Sequence, residues 1–246
     1  VFTRDGSRFL SASEDTSVRV WSIGAEEPLQ VFKGHYRDVR ALALNADDRY
    51  LASASADGTV RVWDLREDGE ATVDGPSHGS WVRDVTFTSD GDDGEYLISA
   101  SDDRTLKACK LVSRARPYTL AGHKDYVLVV TALPDSPRVV SASEDSTLKV
   151  WYVPGAMLVH DLTGHTGIVF DVAVSEDGRL AASASQDRTL RVWDLRAGRE
   201  LAVTSLDGSL KSVAFSRENT LLVGDWGGNV YCFRYVAPEV SDFKKS

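Results

Sequence analysis

An eleven-residue phrase returns five times along this chain: SASEDTSVRVW from Ser11, SASADGTVRVW from Ser53, SASDDRTLKAC from Ser99, SASEDSTLKVW from Ser141 and SASQDRTLRVW from Ser183. The starts lie 42, 46, 42 and 42 residues apart. A fixed period near forty residues specifies stacked supersecondary units rather than one irregular core. The repetition also changes how single residues are read. A side chain that recurs in every unit is better suited to holding the unit together than to a unique chemical step.

Within the phrase, Thr59-Val60-Arg61-Val62-Trp63 alternates polar with apolar residues, the period-two signature of a strand. Tyr50 to Ser55 is a second strand, built of small residues that allow a neighbouring sheet to approach closely, and Ala56-Asp57-Gly58 is the hairpin turn between the two. A nearly continuous apolar strand precedes each phrase, over 39–44, 82–87, 127–132, 169–174 and 210–215, as expected of a strand buried on both faces. A fourth follows it, over 29–32, 118–120, 158–162 and 201–203. Four short strands per forty-odd residues make one propeller blade.

The units carry Gly-His at Gly34-His35, Gly122-His123 and Gly164-His165, with Ser77-His78 as a variant, and Trp-Asp at Trp63-Asp64 and Trp193-Asp194. His and Trp stand 28 residues apart in three units. The pattern resembles the WD40 repeat. The resemblance covers roughly residues 1–235 and implies an all-β WD40 β-propeller. Six units are expected, about 1–33, 34–76, 77–121, 122–163, 164–205 and 206–235, followed by a tail over 236–246, all in a single domain. The third departs from the pattern at Cys109-Lys110, and the sixth lacks Gly-His. Seven blades are commonest in such rings, so the expected parent is a longer chain of which these are the last six units, with a closed six-blade ring as the alternative. Val1 to Gly6 reads as the tail of a strand entering a turn, which fits that expectation.

Each intact unit supplies His, Ser and Asp, the ingredients of a nucleophilic triad. The resemblance implies instead a hydrogen-bonded chain running Asp, His, Ser, Trp: Asp57, His35, Ser53 and Trp63 in the second unit, Asp145, His123, Ser141 and Trp151 in the fourth, and Asp187, His165, Ser183 and Trp193 in the fifth. Such chains satisfy polar groups that are costly to bury. Four of the five histidines take this slot, where catalysis would use one singular constellation. No zinc spacing and no phosphate loop is present. The acidic turn from Asp90 to Gly94 lacks the ligand spacing of a calcium loop. No cofactor and no metal is expected, and the chain is read as a non-catalytic binding scaffold.

The formal charge of −9 disfavours non-specific binding to nucleic acid or an anionic membrane. Cys109 and Cys232 read as two buried free thiols, consistent with a reducing, cytoplasmic location. No apolar run approaches the ~18 residues of a membrane span.

Function is sought where the repeats differ. The residue before the innermost strand is Asp38, Trp81, Tyr126, Ile168 or Ser209, and two residues on stand Arg40, Arg83, Leu128, Phe170 and Lys211. In the resembling family this level lies at the rim of the central opening, on the face of the Gly-His loops. Trp81, Tyr126, Phe170, Arg40, Arg83 and Lys211 are expected to form a cationic, aromatic funnel, joined by Trp226 in a turn on the same face. The expected partner is a protein or peptide, acidic or phosphorylated, together with the rest of the parent chain. The alternative is a ligand-sensing C-terminal domain of a larger signalling protein, since the run from Gly224 to Tyr231 resembles the ends of bacterial WD40 signalling NTPases. An enzyme using the opening is the remote third reading.

Overall fold

The repeated phrase folds as a hairpin in every unit, and the hairpins fix the rest. The computed structural model describes residues 1–66, 71–89, 91, 94–111, 116–216 and 220–236. Blade 1 is β1 (Arg8–Ala12), β2 (Val18–Ser22) and β3 (Gln30–Phe32). Blade 2 is β4 (Val39–Leu44), β5 (Tyr50–Ser55), β6 (Thr59–Asp64) and β7 (Ala71–Ser77). Blade 3 is β8 (Val82–Ser89), β9 (Glu95–Ser101), β10 (Thr105–Lys110) and β11 (Tyr118–Ala121). Blade 4 is β12 (Val127–Ala132), β13 (Arg138–Ser143), β14 (Leu148–Tyr152) and β15 (Met157–Leu162). Blade 5 is β16 (Val169–Val174), β17 (Leu180–Ser185), β18 (Thr189–Asp194) and β19 (Arg199–Ser205). Blade 6 is β20 (Leu210–Phe215), β21 (Thr220–Asp225) and β22 (Val230–Arg234). All pairings are antiparallel between consecutive strands. Asp90, Asp92, Asp93 and residues 237–246 of the tail, with Pro238, lie outside the described residues.

The apolar cores sit between blades rather than within them. Leu10, Val18, Val20 and Phe32 of blade 1 pack on Val39, Leu51 and Trp63 of blade 2. The opposite face of blade 2, with Ala52, Ala54, Val60 and Val62, packs on Val82, Val85 and Leu97 of blade 3. The same division recurs at the remaining three junctions. Strand alternation explains it, because successive side chains point at opposite neighbours.

In blades 2 to 5 the second strand is the most buried, with Ser53, Ser55, Ala52 and Ala54 of β5 all inaccessible. The innermost strands differ from the expectation of burial on both faces. In β12 only Val127 and Val130 are fully buried, because the other side faces the propeller axis. Blade 6 has three strands among the described residues. Among the described residues no further blade packs on its outer face, so Val230 is 74% exposed, whereas its equivalents Val18, Val60, Leu106, Leu148 and Leu190, each packed against the next blade, are 0–3% exposed. Cys232 is exposed for the same reason, a correction to its expected burial, while Cys109 is half-buried and its thiol is pushed up to about 11 by burial.

The Gly of Gly-His is tied to the Trp of the same blade. A Cβ on Gly122 would lie 3.1 Å from Cη2 of Trp151, and one on Gly34 would lie 3.3 Å from Cη2 of Trp63. Blade 3 has lost both partners together, with Ser77 for Gly and Cys109 for Trp. Gly122→Ser is accordingly expected to cost about 1–3 kcal/mol by overpacking. In a Trp151→Cys background it should cost clearly less, a coupling of roughly 0.5–3 kcal/mol in a double-mutant denaturation cycle. Additive costs would show that the two positions are independent.

Candidate functional site

The hairpin turns and the Gly-His loops meet on one face, and buried hydrogen bonds fix them there. In blade 2, Trp63 donates its indole N–H to Ser53 Oγ at 2.9 Å. Ser53 Oγ lies 2.8 Å from His35 Nε2, and His35 Nδ1 lies 2.8 Å from Asp57 Oδ2. The carboxylate only accepts, so Nδ1 carries the proton, Nε2 accepts the seryl hydroxyl and the seryl oxygen accepts the indole. Blade 4 repeats the order through Trp151, Ser141, His123 and Asp145 at 2.9, 2.7 and 2.8 Å. Blade 5 does so through Trp193, Ser183, His165 and Asp187 at 2.8, 2.7 and 2.8 Å. Blade 3 keeps His78 between Ser99 and Asp103 at 2.7 and 2.8 Å without any Trp. The sequence places His78 in this slot, but its partners Ser99 and Asp103 were not named there, because the missing Trp-Asp hid the rest of the set.

Burial lowers the pKa of His35, His78 and His165 against the opposing pull of their aspartates, so the rings are held neutral. Burial alone would raise Asp57, but hydrogen bonds from Thr59 and His35 bring it below its ordinary value. Ser53, Ser141 and Ser183 are each 0% exposed. The Ser-His-Asp order is thus repeated on hydroxyls that no substrate reaches, and its physical effect is to pin the Gly-His loop to the hairpin turn. In blade 2 the same Asp57 also accepts the backbone N–H of Tyr36.

The variable residues stand on this pinned platform. Every innermost strand from β4 to β20 has a register shift, at Val39/Ala41, Val82/Asp84, Val127/Val129, Val169/Asp171 and Leu210/Ser212. The residues inside these bulges are Arg40, Arg83, Leu128, Phe170 and Lys211. A bulge frees one residue from the ladder and re-aims its side chain. A backbone hydrogen bond then ties each turn to the residue before the strand: Ala56 to Asp38, Asp102 to Trp81, Glu144 to Tyr126, Gln186 to Ile168 and Trp226 to Ser209, at 2.8–3.0 Å. Three variable positions therefore cluster in each of five blades.

Two groups result. Arg40 reaches from blade 2 to place its Cζ 4.7 Å from the Trp81 ring centroid, and Arg83 lies 5.2 Å from that ring. Lys211 of blade 6 places Nζ 3.3 Å from the Phe170 centroid of blade 5 and 3.9 Å from that of Trp226. Tyr126 of blade 4 is 38% exposed. A cleft of about 330 Å³ opens beside Trp81, lined by Tyr36, Gly58, His78 and Ser80.

The rim is mixed in charge rather than the expected cationic funnel. Arg83 is held bidentately by Asp102, Nε and Nη2 donating at 2.7 and 2.8 Å, and this pairing raises its pKa. Arg40 donates to Asp38 at 3.2 Å. Sequence separation concealed the first pair, since Asp102 comes from the turn and Arg83 from the bulge. Nearby, Glu144 is shifted upward by burial and by the charge of Asp125.

Sequence reasoning also missed two carboxylates on the innermost strands. Asp84 accepts the backbone N–H of Val85 at 2.9 Å and that of Val130 in the next blade at 2.9 Å. Asp171 does the same for Val172 and for Val213 in blade 6, both at 2.8 Å. An acid within an otherwise apolar strand was the available signal. No group of three or more His, Cys, Asp or Glu residues among the described residues could hold a metal.

Comparison with known proteins agrees with this geometry. Human "Apoptotic protease-activating factor 1" is 34% identical over 110 residues, covering 40% of this chain and 8% of that protein. "Nuclear distribution protein nudF 2" of Penicillium rubens is 32% identical over 132 residues, covering 46% of this chain and 27% of that protein. "Target of rapamycin complex subunit wat1" of Schizosaccharomyces pombe is 43% identical over 61 residues, covering 24% and 19%. The chain thus spans 8–27% of the lengths of these relatives. The crystal structure of the WD40 beta propeller domain of Doa1 superposes with a TM-score of 0.78 at 24% identity, over 94% of this chain and 76% of that one, a likeness of fold. The model of the family described as "WD domain, G-beta repeat" matches residues 1–22, 26–64, 72–108, 115–152 and 156–194. With its repeats matched over more than half its length and its strands folded into successive blades, the chain belongs to the WD40-repeat family of β-propellers.

Proposed function

We propose that this propeller is a non-catalytic scaffold that binds a protein or peptide on its Gly-His face. One observation carries the reading. The exposed aromatic residues Trp81, Tyr126 and Trp226 gather on that face, at 37%, 38% and 71% exposure, on a platform of fixed loops. Aromatic residues and Arg are the side chains most enriched among binding hot spots. The network beneath holds the loops before any partner arrives, which lowers the ordering cost of association. The proposed partner is acidic or phosphorylated, and the proposed location is the cytoplasm. No helix among the described residues is long and apolar enough to cross a membrane.

A second reading, a ligand-sensing domain within a larger signalling protein, is favoured by the small share of each relative that the chain spans. The first reading is tested by partner capture from native extract with the wild type beside Trp81→Ala/Tyr126→Ala, after matched melting is established. Retention of a specific partner should fall at least about tenfold, the equivalent of a lost hot-spot contact of ~1.4 kcal/mol. An unchanged partner set would move the site off this face.

A further inference from the structure

The three rim cations are not equivalent. Asp102 occupies Arg83 bidentately and Asp38 occupies Arg40. Lys211 alone of the three has neither a carboxylate nor a carbonyl partner among the described residues. Its ammonium instead rests against two rings from different blades, Phe170 at 3.3 Å and Trp226 at 3.9 Å from their centroids. An ammonium carries three N–H donors, and aromatic faces satisfy charge without accepting conventional hydrogen bonds.

We propose that Lys211, clamped between Phe170 and Trp226, is the anchor for a single carboxylate of an acidic peptide on the Gly-His face. The proposal rests on the reading of that face as a peptide-binding surface and assigns its anionic contact to blades 5 and 6. Arg40 and Arg83 on blades 2 and 3 are thereby excluded from that contact.

Three physical points favour this site. The clamp holds the lysine stem in place, so little side-chain entropy remains to be lost on binding. Desolvation already lowers the Lys211 pKa, and a partner carboxylate reverses that cost by adding an opposite charge. Trp226 is 71% exposed beside the ammonium and offers an apolar wall to the stem of a Glu or Asp. A carboxylate suits the site better than a phosphate dianion, because one unpaired cation matches one negative charge on a chain of formal charge −9.

The probe is a blocked penta-glutamate peptide, with penta-glutamine and a phosphoserine-containing analogue as the other arms. The readout is the set of indole N–H resonances in an ¹⁵N–¹H spectrum, with Trp226 assigned from the Trp226→Phe variant. Penta-glutamate is expected to shift the Trp226 resonance saturably, and penta-glutamine to leave it in place. Lys211→Met should weaken the penta-glutamate effect at least about tenfold, and Lys211→Arg should retain most of it, both after matched melting. Stronger binding by the phosphoserine peptide would overturn the carboxylate assignment. A shift at Trp81 without one at Trp226 would overturn the Lys211 assignment while leaving the binding face intact. An unchanged shift in Lys211→Met, or no indole shift at millimolar penta-glutamate, would overturn it outright. The capture experiment above decides the wider reading independently of these outcomes.

Discussion

Trp151→Ala is expected to lower the melting temperature by roughly 6–20 °C, from a cost of about 3–5 kcal/mol for emptying a buried Trp site and about 2–4 °C per kcal/mol for a domain of this size. Trp151 is 1% exposed and belongs to the apolar cluster that joins blade 3 to blade 4, with Tyr96, Leu106 and Leu120. Its indole N–H is also the end donor of the chain through Ser141 and His123 to Asp145. The alanine variant therefore loses packing between two blades and one buried hydrogen bond within a blade. Trp151→Phe separates the two effects. It keeps most of the ring and forfeits the donor, at about 0.5–1.5 kcal/mol. Blades contact mainly their sequence neighbours, so the damage should be local. Hydrogen exchange in Trp151→Ala should accelerate in β9, β10, β13 and β14 and remain near wild type in β20 and β21. Melting within 2 °C of wild type would show that this junction contributes little to the stability of the domain.

That prediction was within reach of the sequence, and the reason is physical. The repeated phrase contains most of both strands of a hairpin, its turn and the Ser, Asp and, in four of the five copies, Trp of the network within eleven residues, with the His 18 or more residues upstream in its Gly-His loop. Local chemistry there agrees with the global fold, and β5, β6, β17 and β18 lie where the alternation places them. The outer strand β7 was not legible, because Gly75 and Pro76 interrupt its pattern. An outer strand has only one neighbour in its sheet and tolerates a proline that a central strand would not.

The bulges were equally hidden. Their residues are Arg, Arg, Leu, Phe and Lys, a set with no common chemistry, because the irregularity is imposed by the register of two strands rather than by one side chain. The positions of the rim residues were thus legible from repeat-to-repeat variation, but their charge state was not. Whether Arg83 is free or held depends on the approach of Asp102 from the far end of the hairpin, which no local pattern encodes.

The second large effect concerns the carboxylates on the innermost strands. Asp84→Asn is expected to lower stability by about 1–3 kcal/mol at pH 7, because one of two backbone N–H donors, Val85 or Val130, would then face an amide nitrogen instead of an oxygen. The deficit should widen as the pH falls. Burial, with the charge of Asp171 adding, raises the Asp84 carboxyl from 3.8 to about 6, while the two N–H bonds pull the other way. A group raised in the folded state binds its proton there more tightly than in the unfolded chain. Its contribution is fully present below 3.8 and is lost as the pH rises through about 6. The buried histidines act in the opposite sense. His35, His78 and His165 are lowered from 6.5, so their contribution is complete above that value and is lost as the pH falls below it. In the wild type these two contributions therefore change in opposite senses as the pH falls below 6.5. Asp84→Asn removes one rising contribution, leaving those of Asp171 and Glu144, which burial also raises, beside the falling one of the histidines. Thermal melts at pH 7.5, 6 and 4.5 should therefore show wild type and variant diverging toward acid. A deficit that stays constant or narrows would mean that Asp84 does not titrate in this window and serves only as a fixed acceptor between blades 3 and 4.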